Sequence, residues 1–290
     1  MAWTRARDGL PLYYDYFDPA GRAPARPRPA VLLLMGLGAN ARVWAPVIAP
    51  FQAAGHPVVA MDNRGCGRSG APWRPWSTRT MAADAVAVLN AVGVRRTHVV
   101  GASMGGMVAQ EIGLAFPDRV HSLVLGCTSG GLPRGPELVT RRGVREVLAL
   151  AARTVRPVPL DAQVRRFLQT NISPDFAATA RRDGDCWRAV EAMLAEPTCL
   201  RGLLYQSLAT VRHSSWSRIG RLRHPVLVQH GTADPVIPVT AGRELARRIP
   251  SAVFQEVDGA GHALGLERTD EITQRALAFM AAEEGPGRSR

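Results

Sequence analysis

The chain has 290 residues, 46% of them hydrophobic and 21% charged, which is ordinary for a soluble globular protein with a large core. All 36 basic residues are arginine, and the absence of lysine excludes Schiff-base chemistry on a side chain and phosphate binding by a Walker A lysine. The net charge is +12, but the arginines are scattered along the chain, so we expect no nucleic-acid-binding patch.

Short aliphatic runs alternate with longer amphipathic stretches, a pattern typical of βαβ units around a mainly parallel sheet. The runs predict strands at Leu12–Phe17, Ala30–Met35, Pro57–Met61, Thr97–Gly101, Val120–Gly126, Pro225–His230 and Ala252–Val257. The amphipathic stretches predict helices at Arg42–Ala54, Thr78–Val92, Ser103–Phe116, Thr240–Arg248 and Glu267–Ala282.

The alternation stops between residues 130 and 223, which contain no strong strand pattern. Proline-punctuated helical stretches fill this segment, at Leu138–Arg153, Leu160–Asn171, Phe176–Glu196 and Leu200–Val211. We therefore predict an α/β core formed by residues 1–129 and 224–290, with residues 130–223 inserted as a helical lid.

The four cysteines include no C-x-x-C pair and no neighbouring histidine cluster, so neither a disulfide framework nor a zinc site is expected. The first nine residues lack the apolar stretch of a signal peptide, and the run Ala30–Met35 is too short to span a membrane. These features indicate a soluble, cytoplasmic protein that does not bind membranes. We expect it to be a monomer or a homodimer.

A candidate nucleophile lies where the strand Thr97–Gly101 runs into a helix, in the segment Gly101-Ala-Ser103-Met-Gly105. This is G-x-S-x-G in the strand–turn–helix context of a nucleophile elbow, in which small residues two before and two after the serine let strand and helix approach closely. The helix N-terminus behind the serine favours developing negative charge. The sequence therefore predicts Ser103 as a nucleophile.

A serine nucleophile needs a base and an acid that orients it. Among seven histidines, His262 is favoured because it lies in a glycine-flanked loop just after the last predicted strand, where α/β sheets place their active sites. For the acid, Asp234 follows the strand Pro225–His230 and is favoured over Asp258, which lies at a strand end and is more typical of a turn cap.

An oxyanion hole is expected from two backbone N–H groups. One belongs to Met104, directly after the nucleophile, and the other to Leu37, in the glycine-containing loop Met35–Asn40 that follows the strand Ala30–Met35.

Together these residues resemble the α/β-hydrolase superfamily over nearly the whole chain. The segment Asp62–Ser69, DNRGCGRS, looks like the D-x-R-G-x-G-x-S segment of that superfamily. Met35-Gly36 stands where many members have His-Gly, and with Asp62-Asn63 and the loop of His262 it is similar to the methylesterases that tailor aromatic polyketides, the group of aclacinomycin methylesterase. The resemblance implies an α/β-hydrolase fold, a lid after the sixth strand, and no cofactor or metal.

The activity so predicted is hydrolysis of an ester of a medium-sized, partly hydrophobic small molecule in natural-product tailoring. Three alternatives stay open: a lyase that eliminates a carboxylate such as acetate from an acylated intermediate, a cofactor-free perhydrolase or haloperoxidase-like enzyme, and a non-catalytic ligand receptor on the same fold.

Candidate substrate-binding residues are Met35, Trp187, Met193, Tyr205 and Trp216, although for the four in the lid simple packing is the favoured interpretation. The lid segment 131–222 carries 15 arginines against 8 acidic residues. One hypothesis is that lid arginines steer an anionic substrate, drawn from Arg141, Arg142, Arg165, Arg166, Arg181, Arg182 and Arg188; solvated helix faces are the favoured interpretation.

Overall fold

An eight-stranded sheet forms the centre of the computed structural model, which describes residues 2–19, 27–131, 145, 158–182, 184–196 and 198–284. The strands are β1 (Ala2–Arg5), β2 (Pro11–Phe17), β3 (Ala30–Leu34), β4 (Val58–Met61), β5 (Thr97–Ala102), β6 (Val120–Gly126), β7 (Val226–Gly231) and β8 (Ala252–Val257). Their order is β1-β2-β4-β3-β5-β6-β7-β8; β2 pairs antiparallel with β1 and β4, and all other pairs are parallel. The predicted mainly parallel α/β fold is confirmed.

The described helices are α1 (Ala45–Ala53), α2 (Thr78–Ala91), α3 (Met104–Ala115), α4 (Leu160–Asn171), α5 (Pro174–Thr179), α6 (Asp185–Ala195), α7 (Leu200–Val211), α8 (Val239–Arg248), α9 (Leu264–Glu267) and α10 (Thr269–Glu283). Single 3₁₀ turns occur at Ala41–Trp44, Pro117–Arg119 and Ile219–Arg221.

The central strands lack polar alternation because both faces of the sheet are covered. All five residues of β3 are buried, and they alternate between two apolar clusters: Leu32 and Leu34 in one, Val31 and Leu33 in the other. Residues of α2 and α3 belong to the first cluster, and residues of α1 and α10 to the second. This packing on both faces fixes the positions of the central strands. It thereby also fixes the edge of the sheet at which their carboxyl ends lie.

Two sequence predictions differ from the structure. Strand β1 was not predicted, because its four residues AWTR alternate between partly buried and exposed and form no apolar run. The stretch Phe176–Glu196, predicted as one helix, is interrupted: α5 ends at Thr179 and α6 begins after Gly184, an extended residue that precedes its first turn. The predicted helix Leu138–Arg153 lies outside the described residues.

The helices α4 to α7 connect β6 to β7 and lie over the carboxyl edge of the sheet, in the segment predicted as a lid. Helix α6 packs on the 3₁₀ turn Ala41–Trp44, and α7 lies so close to Gly65 that a Cβ on Gly202 would overlap the Gly65 carbonyl group. The helices of this predicted lid, called the lid below, therefore rest on the loops that follow β3 and β4. None of the helices in the described ranges is long and apolar enough to cross a membrane.

Candidate active site

Ser103 stands on a strained turn between β5 and α3. Its backbone has φ 55° and ψ −122°, a conformation that residues other than glycine rarely adopt. The turn is held by the Ser103 N–H, which donates to the Gly126 carbonyl at 2.9 Å, and by the Thr128 hydroxyl, which donates to the Ser103 carbonyl at 2.7 Å. A Cβ on Gly101 or Gly105 would overlap backbone atoms of Gly105 or Leu34. The two glycines of G-x-S-x-G are therefore required by close backbone contacts.

The structure brings His262 and Asp234 together. Asp234 follows β7 and His262 follows β8, so both lie at the carboxyl edge of the sheet, and His262 Nδ1 is 2.8 Å from Asp234 Oδ2. The other oxygen, Oδ1, accepts from the backbone N–H groups of Val236 and Ile237 at 2.8 and 2.9 Å. Asp258 is exposed and accepts from the Thr232 hydroxyl at 3.1 Å, so it is not the partner of His262.

The buried carboxyl group of Asp234 is held ionised by its surroundings. Burial alone would raise its pKa, but the charge of His262 and the hydrogen bonds of His230 and His262 hold the pKa well below the usual value. His230 Nε2 lies 3.2 Å from Asp234 Oδ2, which makes it a second imidazole on the same oxygen. An ionised Asp234 fixes His262 with its Nδ1 proton toward the carboxylate and leaves Nε2 free to accept a proton.

Cys127 is a neighbour of this pair that the sequence analysis did not identify. It directly follows β6, has φ 43°, and is 1% exposed. Its Sγ lies within 4.8 Å of both an Asp234 carboxylate oxygen and a His262 ring nitrogen. Burial, followed by the negative charge of Asp234, raises the pKa of the thiol far above its usual value, so the group is neutral. The sequence signal that could have identified Cys127 is its position directly after β6, at the edge of the sheet where Ser103, Asp234 and His262 also follow their strands.

The predicted oxyanion loop lies directly against Ser103. A Cβ on Gly36 would be 3.0 Å from Ser103 Cβ and 3.4 Å from its Oγ. The N–H groups of Leu37 and Met104, the two predicted donors, make no hydrogen bond to any acceptor among the described residues. Both N–H groups therefore have no acceptor within the described residues, one in the loop after β3 and one at the first residue of α3.

Ser103, His262 and Leu37 line one cavity of about 170 Å³. Met35 and Met193 also line it, as predicted. Most of the remaining lining was not predicted and is apolar: Val43, Trp44, Val100, Val124, Phe167, Leu194, Val236, Leu264, Leu266 and Ile272, with Asn171 and Gln229 as the polar amides. Apart from His262, no aspartate, glutamate, arginine or histidine side chain of the described ranges lines it.

Three of the candidate lining residues, Trp187, Tyr205 and Trp216, do not line this cavity. Their candidacy as substrate-binding residues is thereby corrected, and packing, the interpretation favoured for them, fits their contacts. Trp187, a residue of α6, is 4% exposed and packs in the second apolar cluster together with residues of α4. Tyr205 packs edge-on against Trp76, and its hydroxyl donates to the Trp73 carbonyl at 3.1 Å. Trp216 is buried, with its indole N–H on the Gly131 carbonyl. Each aromatic ring is used in docking the lid.

The lid arginines within the described ranges also lie away from the cavity. Arg165, Arg166, Arg181, Arg182 and Arg188 are all exposed, and none lines it. Arg165 and Arg182 pair with Asp161, and Arg188 pairs with Asp185. The interpretation as solvated helix faces fits these contacts, whereas Arg141 and Arg142 lie outside the described residues.

Two groups of described residues bring three potential metal-ligand atoms within 4.8 Å of one another: Cys127, Asp234 and His262 in the first, and His56, His98 and Glu284 in the second. In the first, Asp234 already pairs with His262. In the second, at the opposite edge of the sheet, the Glu284 carboxylate already pairs with Arg28 at 3.0 Å. Each carboxylate therefore already has a hydrogen-bonding or ion-pair partner within the protein.

Comparison with known proteins gives concordant matches. The family described as alpha/beta hydrolase fold matches residues 29–269. A protein of Azorhizobium caulinodans named a carbamate hydrolase is 31% identical over 86% of this chain and 90% of its own length. A Mycobacterium tuberculosis protein named a non-heme bromoperoxidase is 31% identical over 87% of this chain and 94% of its own.

Solved structures agree in fold. A hydrolase of Pseudomonas aeruginosa superposes with a TM-score of 0.78 at 25% identity, over 96% of this chain and 97% of its own. The enol-lactonase of Burkholderia xenovorans superposes with a TM-score of 0.79 at 22% identity, over 97% of this chain and all of its own, which bears on the fold alone.

Proposed function

This chain belongs to the α/β-hydrolase fold family and is a hydrolase-type enzyme of that family, and on that premise we propose that it cleaves esters through Ser103, His262 and Asp234. The observation that carries the proposal is the 2.8 Å contact of His262 Nδ1 with the ionised Asp234, in a cavity that also holds Ser103. With its Nδ1 on Asp234, His262 has Nε2 left to act as the base for Ser103, which lines the same cavity.

The proposed reaction is acyl transfer in two halves. His262 Nε2 takes the proton of Ser103 as its Oγ bonds to the ester carbonyl carbon, and the N–H groups of Leu37 and Met104 bind the resulting oxyanion. His262 then gives the proton to the leaving alkoxide as the carbon–oxygen bond breaks, which leaves an acyl-serine and an alcohol. Water repeats the sequence, releasing the acid and restoring Ser103.

The cavity favours an uncharged, apolar group beside the scissile bond. Its lining has no fixed charge among the described residues, so an anionic acyl group would lose its hydration without gaining a partner. At about 170 Å³ it is smaller than the pockets of about 300–1,000 Å³ that enclose drug-sized ligands. We therefore propose a small or medium-sized, partly hydrophobic ester as substrate.

A role in polyketide tailoring remains part of the proposal and rests on the sequence segments around Met35-Gly36, Asp62-Asn63 and His262. The cavity adds no support for it, since it would enclose only the ester group and a small part of a polycyclic molecule. We further propose that the protein acts on small molecules without nucleic acid or membrane, in the cytoplasm, as a monomer or homodimer and without a cofactor.

A second candidate function is perhydrolysis with haloperoxidase-like turnover. It is favoured by the relative named a non-heme bromoperoxidase, which matches 87% of this chain. Hydrogen peroxide would then replace water as the group that attacks the acyl-serine and release a peracid.

Product analysis tests the proposed function. The protein is incubated with p-nitrophenyl acetate, butyrate and hexanoate, with the monoanionic hemisuccinate as the charged comparison, and the Ser103→Ala variant is the control. We expect Ser103-dependent release of acid and alcohol, with the neutral esters preferred over the hemisuccinate. Equal turnover by wild type and Ser103→Ala contradicts the proposal, and a mass consistent with a peracid when peroxide is added supports the second candidate.

Elimination is distinguished from hydrolysis with an alkyl acetate that carries an acidic hydrogen on the carbon adjacent to the one that bears the acetoxy group. An alcohol and acetate are the products expected from hydrolysis, whereas an alkene and acetate would establish the lyase alternative.

A further inference from the structure

The turn that carries the Leu37 N–H has a defined internal geometry. The Ala39 N–H donates to the Gly36 carbonyl at 3.3 Å, and Gly38, the third residue of the turn, has φ 72°, as a type II turn requires. The carbonyl and N–H of a trans peptide point in opposite directions, so the Leu37 N–H points away from the interior of the turn. The direction of this proposed oxyanion donor therefore depends on what holds the turn.

Both backbone polar groups of Gly38 are held by the lid. The Gly38 N–H donates to Gln206 Oε1 of α7 at 2.8 Å, and the Gly38 carbonyl accepts from the Thr198 hydroxyl at 2.9 Å. Gln206 is completely buried and Thr198 is 7% exposed, so water does not compete for these bonds. The two lid side chains fix the peptide groups on either side of Gly38.

The other end of the Gln206 amide is also in use. Its Nε2 donates to the Arg64 carbonyl at 2.9 Å, in the loop after β4. A carbonyl can only accept and a backbone N–H can only donate, so these partners define the orientation of the amide. Gln206 thus joins the loops after β3 and β4 through one rigid group.

A third lid contact secures the end of the same loop. Asn40 Nδ2 donates to the carbonyls of Met193 and Glu196 at 2.9 and 3.0 Å, at the C-terminus of α6. On the other side, Asn63 Nδ2 donates to the Met35 carbonyl at 2.9 Å. The loop is therefore held at Met35, Gly38 and Asn40, and Leu37 lies between the first two.

We propose that Gln206 and Thr198 are positioning residues for the oxyanion hole, so that the lid sets the direction of the Leu37 N–H. This inference rests on the proposed function, because it concerns an oxyanion formed at Ser103. Without the two side chains the peptide groups on both sides of Gly38 are free to rotate, and the Ala39 N–H no longer holds the Gly36 carbonyl. The Leu37 N–H lies on the same peptide group as that carbonyl, so this donor is then no longer preorganised where charge develops. The lid then contributes to the chemical step, in addition to covering the cavity.

The test uses near-isosteric variants of the full chain. Gln206→Met removes both amide hydrogen bonds, Thr198→Val removes the hydroxyl, and Gln206→Glu keeps an acceptor for the Gly38 N–H. Ser207→Ala is the matched control, since the Ser207 hydroxyl on the same helix donates only to the Leu203 carbonyl among the described residues. The measurements are kcat and KM for p-nitrophenyl butyrate and the inhibition constant of an aryl trifluoromethyl ketone, whose adduct with Ser103 carries an oxyanion.

We expect kcat to fall about tenfold to hundredfold in Gln206→Met, less than the full loss of one oxyanion donor, and about tenfold in Thr198→Val. The inhibition constant should rise by the same factors while KM changes less than about threefold, because the ground state makes little use of the hole. Gln206→Glu should retain more kcat than Gln206→Met, and Ser207→Ala should match wild type.

A purely structural role would lower the melting temperature while kcat and the inhibition constant stayed within about twofold of wild type, and this result would overturn the inference. A rise in KM alone would also contradict it. If Gln206→Met does not fold, Thr198→Val alone decides between these outcomes. If wild type shows no Ser103-dependent turnover, the proposed function fails first, which is distinguishable from variants that keep full activity.

Discussion

At the scale of single residues, the site depends on how burial sets the charge of each group. Asp234 is buried with hydrogen bonds to both oxygens and stays ionised, whereas Cys127 is buried beside that negative charge and stays protonated. The two neighbouring acids thus differ in charge at neutral pH, because imidazoles and backbone N–H groups favour the Asp234 carboxylate, whereas burial and the negative charge of Asp234 disfavour a Cys127 thiolate.

Replacing Asp234 by Asn should abolish most activity. The amide no longer holds the Nδ1 proton of His262 in the orientation that leaves Nε2 basic, so we expect kcat to fall by about 10³–10⁴-fold. Ester turnover under saturating substrate measures this loss. Asp258→Asn is the control, since Asp258 is exposed and contacts Thr232; activity lost equally in both variants would contradict the assignment.

The cysteines should react in the order of their exposure. Cys199 is exposed, Cys186 is partly buried, and Cys66 and Cys127 are buried with raised pKa values. With iodoacetamide at pH 8, peptide mass mapping should find Cys199 alkylated first and Cys127 unmodified in the native protein. Early modification of Cys127 would show that its thiol is accessible or ionised, contrary to the structure.

At the scale of elements, the lid helix α7 is seated by a glycine contact. The Gly202 backbone lies against the Gly65 carbonyl, so Gly202→Ala has to push α7 away from the loop after β4. We expect this overpacking to lower the free energy of unfolding by about 1–3 kcal/mol, measured by urea denaturation. Gly220→Ala is the control, because its new Cβ would meet only the Arg248 carbonyl at an ordinary 3.5 Å; equal losses in the two variants would contradict the contact.

The core elements and the site's sequence positions were predictable because their causes are local. Buried parallel strands make continuous apolar runs, and the nucleophile elbow needs glycines at fixed spacing around Ser103. The lid was less predictable, because which face of a helix meets the cavity depends on how helices dock. Trp187 and Trp216 are packing residues, whereas Phe167 and Asn171 line the cavity although no distinctive sequence pattern marks these two positions.

At the scale of the whole molecule, three groups with strongly lowered pKa values link stability to pH with the same sign, and they outweigh Asp62 and Asp84, whose pKa values are raised by burial and act in the opposite direction. Burial lowers the pKa of His121 and of His213 to about 4. Burial opposes ionisation of Glu284, but hydrogen bonds from His98 and Arg28 lower its pKa to about 2. For each of these three groups the unfolded chain binds protons at a higher pH than the folded chain does.

Stability should therefore fall on acidification. From pH 6.5 down to about 4 the unfolded state takes up protons on His121 and His213 that the folded state refuses, and from pH 4.5 to about 2 the same holds for Glu284. The free energy of unfolding from urea titrations at pH 7.5, 6.0, 5.0 and 4.0 should decrease at each step. His121→Gln should flatten part of the slope between pH 6.5 and 4, and a stability maximum at pH 5 would contradict the burial of these groups.

The large positive charge of the molecule has no counterpart in the described cavity. Arg165 of α4 and Arg188 of α6 pair with surface acids, and no arginine of the described ranges lines the cavity. Turnover of a neutral ester should accordingly change less than about twofold between 20 and 300 mM NaCl, since long-range steering would be screened over that range. A steep loss of kcat/KM with salt would instead point to recognition of an anion.

The central claim is that Ser103 is an activated nucleophile, and covalent labelling tests it most directly. The native protein is treated with a fluorophosphonate, and the modified peptide is identified by mass spectrometry, with His262→Ala as the variant that lacks the base. We expect stoichiometric phosphonylation of Ser103 in wild type and a strongly slowed reaction in His262→Ala. No labelling of Ser103 in folded wild-type protein, or labelling at the same rate without His262, would contradict it.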